Sequence, residues 1–457
     1  MLQTLQLRNF KAWQESGELR LAPLTLLFGA NSAGKSSLGH LLLALKQTVQ
    51  SAERRQVLQF GDEDSLVDLG SYGECLYRHE FARRMEFALG WTLPQALAVR
   101  DAVSGREFPC HSLRLAVALQ GNPQAQPQLQ QLVYEANPGG TAGLALRYQR
   151  EPDGSYRLDA EQYRFVRHGT TTLPLGAPDK FHRLSDSTLA QFRNAEFLND
   201  FALATENLLH DLQHLGPLRE RPRRLHAWSG EVPDSVGPRG EHSIAAILAA
   251  SGQGRRLSHA GQPELRFDHY LAAWLQRLGI IERFVVQPLT PGRKEVEILV
   301  HTHGNPAAVK LTDTGFGVSQ LLPAIVQAFY AAPGSTVWME QPELHLHPQV
   351  QAGLADLFIA AINSHENGEP RGVQIVLESH SEHLLNRLQR RVAEGSLLPE
   401  QVAVYFCSRR EGQAVAEPLR LNAFGEIENW PEHFFGDEMG DISARTLAAL
   451  QRRAQAQ

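Results

Sequence analysis

Three features of the sequence predict an α/β fold with an antiparallel β layer and an inserted mixed helical region, built around a glycine-containing strand–helix loop. A short apolar run, Leu24-Thr25-Leu26-Leu27-Phe28, ends at Gly29 and leads through a glycine-containing loop into residues 37–49, whose leucines recur at helical spacing. Residues 85–167 break into short apolar stretches separated by Gly, Pro, Asn and Asp, as antiparallel strands do. The last third alternates helices (319–331, 348–363, 382–394) with short buried-strand runs (336–339, 373–377, 402–406).

The remaining elements follow in chain order. Residues 2–10 alternate apolar and polar side chains, as a half-buried strand does, and 19–21 repeat the trend. Within the β layer, 113–119, 144–150 and 163–166 are predicted strands, with Asp153-Gly154 as a hairpin turn. Residues 189–215 are helical in pattern. A loop rich in Pro, Gly and Arg spans 216–240, followed by helices at 243–250 and 267–278 and strands at 283–288 and 296–300. There is no internal repeat and no long heptad run, which excludes extended coiled-coil arms.

Composition narrows the classes. The 457 residues carry 44 basic and 50 acidic side chains, a formal charge of −6, which argues against a protein that coats nucleic acid but leaves a local basic groove open. Three cysteines without a CxxC pair suit a reducing cytosol and argue against a disulfide framework. The apolar runs are far shorter than the ~20 residues that span a bilayer, and the amino terminus lacks signal-peptide features, so a cytoplasmic protein is expected.

Gly29-Ala30-Asn31-Ser32-Ala33-Gly34-Lys35-Ser36 matches GxxxxGK[ST] at every fixed position, between a predicted strand and a predicted helix. Such a loop turns backbone N–H groups inward as an anion nest at a helix N-terminus. Lys35 can then reach the β and γ phosphates of ATP, and the Ser36 hydroxyl can bind Mg²⁺. Glu340, at the end of the run 336–339, is placed to hold the same metal. It is followed by Gln341-Pro342-Glu343-Leu344-His345-Leu346-His347-Pro348. A further strand runs into Glu378-Ser379-His380-Ser381, where His380 can donate to a γ-phosphate. Upstream, Asp313-Thr314-Gly315-Phe316-Gly317-Val318-Ser319-Gln320 opens a helix, with Ser319 near its N-cap.

The order of these motifs resembles the ABC-type ATPases of the structural-maintenance and overcoming-lysogenization-defect branch, and the opening Leu7-Arg8-Asn9-Phe10-Lys11 fits that branch. Asn429-Trp430-Pro431 and Phe434-Phe435-Gly436-Asp437 resemble a small C-terminal module of unknown function carried by a bacterial subset. The resemblance covers residues 1–37 and 311–437, with a middle that is only loosely similar. It implies a head that dimerises head-to-tail. Each ATP would be bound by Asn31, Ser32, Ala33, Gly34, Lys35, Ser36 and Ser37 of one subunit, with Phe10 or Lys11 near the adenine. Gly317, Ser319 and Gln320 of the other subunit would cap it. Mg²⁺ would sit on Ser36 and Glu340, with His380 as the γ-phosphate switch. The resemblance also implies a homodimer or higher homo-oligomer working with a separate nuclease effector, as in Septu-type anti-phage defence, or a role in DNA repair.

Two departures matter. The catalytic glutamate expected after the metal acid is Gln341, so hydrolysis is slow, or absent in an ATP-sensing scaffold, unless Glu343 substitutes as base. The glycine–serine loop is looser than that of transporters, which makes a transporter ATPase the weaker alternative. No glutamine-loop residue is assigned, although Gly70-Ser71-Tyr72 lies in the right region. His345, His347, His380 and Glu343 leave a zinc site open beside a turn after the metal strand. Arg219, Arg221, Arg223 and Arg224 offer a nucleic-acid contact or a solvated, internally paired loop. Trp430, Phe434 and Phe435 suit a core or subunit contact better than a ligand cage. Asp437, Glu438 and Asp441 read as a solvated cluster. The expected units are 1–95 and 301–410 for the two parts of the head, 96–300 for the β layer and helical insertion, and 411–457 for the C-terminal module.

Overall fold

The computed structural model describes residues 1–122, 126–139, 143–169, 173–259, 261–288, 295–301, 307–313, 316–431, 434, 443–449 and 452. A six-stranded sheet forms the centre. Its order is Leu212–Leu215, Thr336–Glu340, Gln374–Glu378, Leu24–Gly29, Val402–Arg410 and Gln413–Leu419. The first five strands are parallel and the last is antiparallel. The three central strands are buried along their whole length, because both faces of the sheet are covered. Alternation decides which core each side chain joins. Leu27, Trp338 and Val376 pack under the helix Lys35–Gln50 and the β layer. Leu26, Phe28, Val337, Met339, Ile375 and Leu377 pack under helices on the opposite face, among them Phe316–Tyr330, Pro348–Ile362 and Glu382–Ala393.

The β layer is antiparallel, in the order Trp13–Glu15, Leu2–Phe10, Met85–Arg100, Glu107–Gln120, Gln128–Ala136, Leu144–Arg150 and Tyr156–Ala160, with Leu19–Arg20 paired to the second strand. Arg150 pairs with Tyr156 across the Asp153-Gly154 turn, where Gly154 takes a φ of 87°. The amino-terminal strand therefore belongs to this layer, and the expected boundary at 95/96 falls inside the strand Met85–Arg100.

Three sequence expectations are corrected. Residues 163–166 form no strand; beyond them lies a single bridge, Arg167 to Phe192. Tyr163 and Phe165 are apolar because they pack on Phe192 and Phe197. The helical pattern at 189–215 ends early: the helix Phe197–His210 gives way to the strand Leu212–Leu215, parallel to Thr336–Glu340. Lys46 Nζ fixes this corner by donating to His210 O at 2.8 Å and Leu212 O at 2.5 Å. Helix Phe316–Tyr330 begins before the expected Ser319 and carries Pro323 inside it.

The C-terminal module reaches back to the centre. Phe434 lies 5.7 Å from Phe28 and 4.8 Å from Phe406, ring centre to ring centre, and half-exposed Trp430 covers it at 5.1 Å. Phe435, Gly436, Asp437, Glu438 and Asp441, like Thr314 and Gly315 of the glycine–serine loop, lie outside the described residues. Among the described residues no helix is long and apolar enough to cross a membrane.

Candidate functional site

The phosphate-type loop joins the carboxyl end of the strand Leu24–Gly29 to the helix Lys35–Gln50. Gly29 has a φ of 135°, and a Cβ there would stand 1.9 Å from the carbonyl oxygen of Cys407, so only glycine fits. Trp13 Nε1 donates to the Gly34 carbonyl at 3.0 Å and braces the loop from the β layer. Lys35 is 6% exposed; its Nζ donates to Gly29 O at 2.8 Å and Ala30 O at 2.9 Å and lies 3.4 Å from His380 Nε2. Burial holds the Lys35 ammonium below its usual range, and burial followed by the Lys35 charge does the same to His380. A cation held mainly by carbonyls of its own loop can exchange them for phosphate oxygens.

Two carboxylates close the other wall. Glu340 and Glu378 end adjacent parallel strands in register. Glu340 Oε1 accepts from His214 Nε2 at 2.9 Å. Burial alone would raise the Glu340 carboxyl, but the hydrogen bond and charge of His214, with the charge of His40, hold it below its usual range. Glu378 is 2% exposed; Oε2 accepts from Ser36 Oγ at 2.6 Å and Oε1 from Trp338 Nε1 at 2.8 Å. Burial, and then the neighbouring Glu340 charge, push the Glu378 carboxyl up to about 7. A serine hydroxyl beside two carboxylates fits Mg²⁺, which is commonly held by one or two carboxylates together with substrate phosphates.

These groups line one cleft of about 460 Å³, together with Lys11, Asn31, Ser32, Ala33, Gly34, Ser37, His40, Pro217, Gln341 and Arg409. Gln341 stands in the left-handed region at φ 45°, an uncommon setting for a non-glycine residue, and its N–H donates to Glu378 O at 2.8 Å. Glu343 does not line the cleft. It is 6% exposed, its Oε1 accepts from the His380 N–H at 2.7 Å, and burial raises its carboxyl. Glu343 therefore braces the turn that carries His380.

Other expected residues fall elsewhere. Phe10 is wholly buried in the core beneath the β layer and does not reach the cleft, whereas Lys11 does. Gly317, Ser319 and Gln320 sit in the first turns of helix Phe316–Tyr330, with Ser319 and Gln320 buried, and none lines this protomer's cleft. Ser71 caps the short helix Tyr72–Cys75 in a reciprocal bond with Glu74, a structural use that leaves Gly70-Ser71-Tyr72 outside the cleft. His347 caps the helix Pro348–Ile362, and among the described residues no cluster of three His, Cys, Asp or Glu is arranged for a metal. The arginine loop is largely paired internally: Arg219 with Glu340 O, Arg223 with Glu220 and Arg224 with Asp313.

The sequence reading missed Glu378 and His214 as site residues. Glu378 was detectable as an acid ending a buried strand one residue before Ser379-His380. His214 was hidden because its strand looked like the last turn of a helix.

Residues 279–385 match the AAA ATPase domain family, and residues 397–444 match a family described as a protein of unknown function, DUF3696. The chain is thus similar to an ATPase domain family over one segment and to a family of unknown function over the segment that follows it. Solved structures similar to it include an Smc head bound to the C-winged helix domain of ScpA: 12% identity, 92% of this chain and 98% of that one covered, TM-score 0.41. The SMC head domain from Thermotoga maritima gives 10%, 92%, 99% and 0.38. No curated protein matches.

Proposed function

We infer that this chain is an ABC-type ATPase head that binds ATP, hydrolyses it slowly, and uses nucleotide-dependent pairing of two heads to control a partner effector. The observation that carries this reading is the convergence of Lys35, Ser36, Glu340, Glu378, Gln341 and His380 on one cleft at the mouth of the phosphate-type loop. Loop N–H groups and the N-terminus of helix Lys35–Gln50 take the phosphates, and Lys35 turns from the Gly29 and Ala30 carbonyls toward the β and γ oxygens. Ser36 and Glu340 would hold Mg²⁺, which neutralises charge building on the transferred phosphoryl group. Gln341 orients a water without accepting its proton, and Glu343 is committed to the His380 N–H, so no glutamate follows the metal acid to act as base. That deficit supports slow turnover; the second reading, a non-hydrolysing ATP-sensing scaffold, rests on the same observation.

Ser319 and its neighbours lie outside their own cleft, in keeping with a role at the partner protomer's phosphates. The sequence contains no nuclease signature, so if the assembly cuts nucleic acid in bacterial defence, a separate effector does the cutting. Light scattering with Mg²⁺ and ATP tests the assembly. Wild type is expected to form dimers or larger assemblies, and Ser319→Arg to remain monomeric while still binding ATP. An unchanged mass for wild type with nucleotide, at every concentration, would remove head pairing from the account.

A further inference from the structure

We propose that Glu378 is a positioning residue of the metal site, which, backed by Trp338, fixes the Ser36 hydroxyl so that its lone pairs face the divalent cation. The proposal rests on the nucleotide reading above and adds to it an acid that the phosphate-loop pattern does not contain.

Glu378 has no freedom left. Both oxygens are engaged by donors, Ser36 Oγ at 2.6 Å and Trp338 Nε1 at 2.8 Å, in a setting closed to water. Trp338 is itself clamped: a Cβ at Gly39 would stand 2.7 Å from the indole, so the helix that carries Ser36 also seats the ring that holds Glu378. Ser36, Glu378 and Trp338 thus form one chain of contacts between the helix and two strands.

A serine hydroxyl has one proton and two acceptor lone pairs. With the proton given to Glu378, only lone pairs remain for the cleft, which is what a cation requires. Glu340, across the cleft wall, is braced in the same way by His214. Partners that orient ligands in this manner typically contribute 10–100-fold in metal affinity.

The chemistry of the pair makes the test specific. An indole N–H can only donate, and Ser36 donates to the ionised Glu378 carboxylate, so in that state residue 378 must accept twice. Glutamine has one acceptor oxygen and a donating amide nitrogen. Glu378→Gln therefore sets donor against donor at one of the two contacts. Trp338→Phe removes the indole donor, lets the amide nitrogen point that way, and returns the acceptor to Ser36.

A fluorescent ATP analogue titrated against wild type, Glu378→Gln, Trp338→Phe/Glu378→Gln, Ser36→Ala and Ser36→Ala/Glu378→Gln, in EDTA and across a Mg²⁺ series, reads this out. Glu378→Gln is expected to need ~10–100-fold more Mg²⁺ than wild type for the metal-dependent gain over its own affinity in EDTA. The Trp338→Phe/Glu378→Gln variant should recover most of that loss. Once Ser36 is alanine, Glu378→Gln should cost nothing further. Wild-type Mg²⁺ dependence in Glu378→Gln, no recovery in the Trp338 double variant, or additive losses with Ser36→Ala would each overturn the proposal. Absence of analogue binding by wild type would instead overturn the nucleotide reading, and this proposal with it.

Discussion

Glu343→Gln separates a bracing residue from a catalytic base. In the structure Glu343 is buried, accepts the His380 N–H at 2.7 Å, and stays out of the cleft. Alanine there would leave that N–H buried without an acceptor, a loss of ~1–3 kcal/mol. Glutamine keeps one acceptor oxygen, so its cost is expected to stay below ~1 kcal/mol. Were Glu343 the base, the same change would slow hydrolysis ~10²–10⁴-fold. The structural reading predicts phosphate release by Glu343→Gln within ~10-fold of wild type, with ATP affinity unchanged, and a clear loss of stability only for Glu343→Ala. Urea unfolding and a continuous phosphate assay measure both quantities. A fall of ~100-fold or more in phosphate release by Glu343→Gln, with binding and stability retained, would refute the reasoning.

Two further outcomes follow from the same geometry. Gln341→Glu puts a proton acceptor on the cleft wall and should raise steady-state phosphate release; an unchanged or lower rate would mean that the attacking water is not beside residue 341. Phe434→Ala removes the ring between Phe28 and Phe406, one residue from the phosphate-type loop. It should destabilise the fold by about 3 kcal/mol in urea unfolding, and a change below ~0.5 kcal/mol would show that the module does not depend on this contact.

The central sheet was legible because its strands are buried on both faces, and continuous runs such as Thr336-Val337-Trp338-Met339 leave little alternative. The loop was legible because its chemistry requires fixed residues at fixed spacing. Leu212-Gln213-His214-Leu215 was not, since four residues after a long helix offer no period to distinguish a strand from another turn. His214 was lost with it, because its role depends on parallel pairing with a strand more than a hundred residues away. Glu378 was passed over for His380: only the register with Glu340 shows that both strands end in an acid at the same level. Phe10 was misplaced because the end of a half-buried strand does not disclose which side faces the loop.

Calorimetric titration of ATP with Mg²⁺ into wild type and Lys35→Ala tests the central claim most directly. Lys35 is the cation at the floor of the cleft, and its phosphate contacts are charge-assisted, ~1.5–3 kcal/mol each. Saturable binding by wild type and a loss of more than ~100-fold in Lys35→Ala, with an unchanged urea unfolding curve, is the predicted result. Equal affinity in the two proteins would contradict the assignment of Gly29–Ser36 as the ATP site.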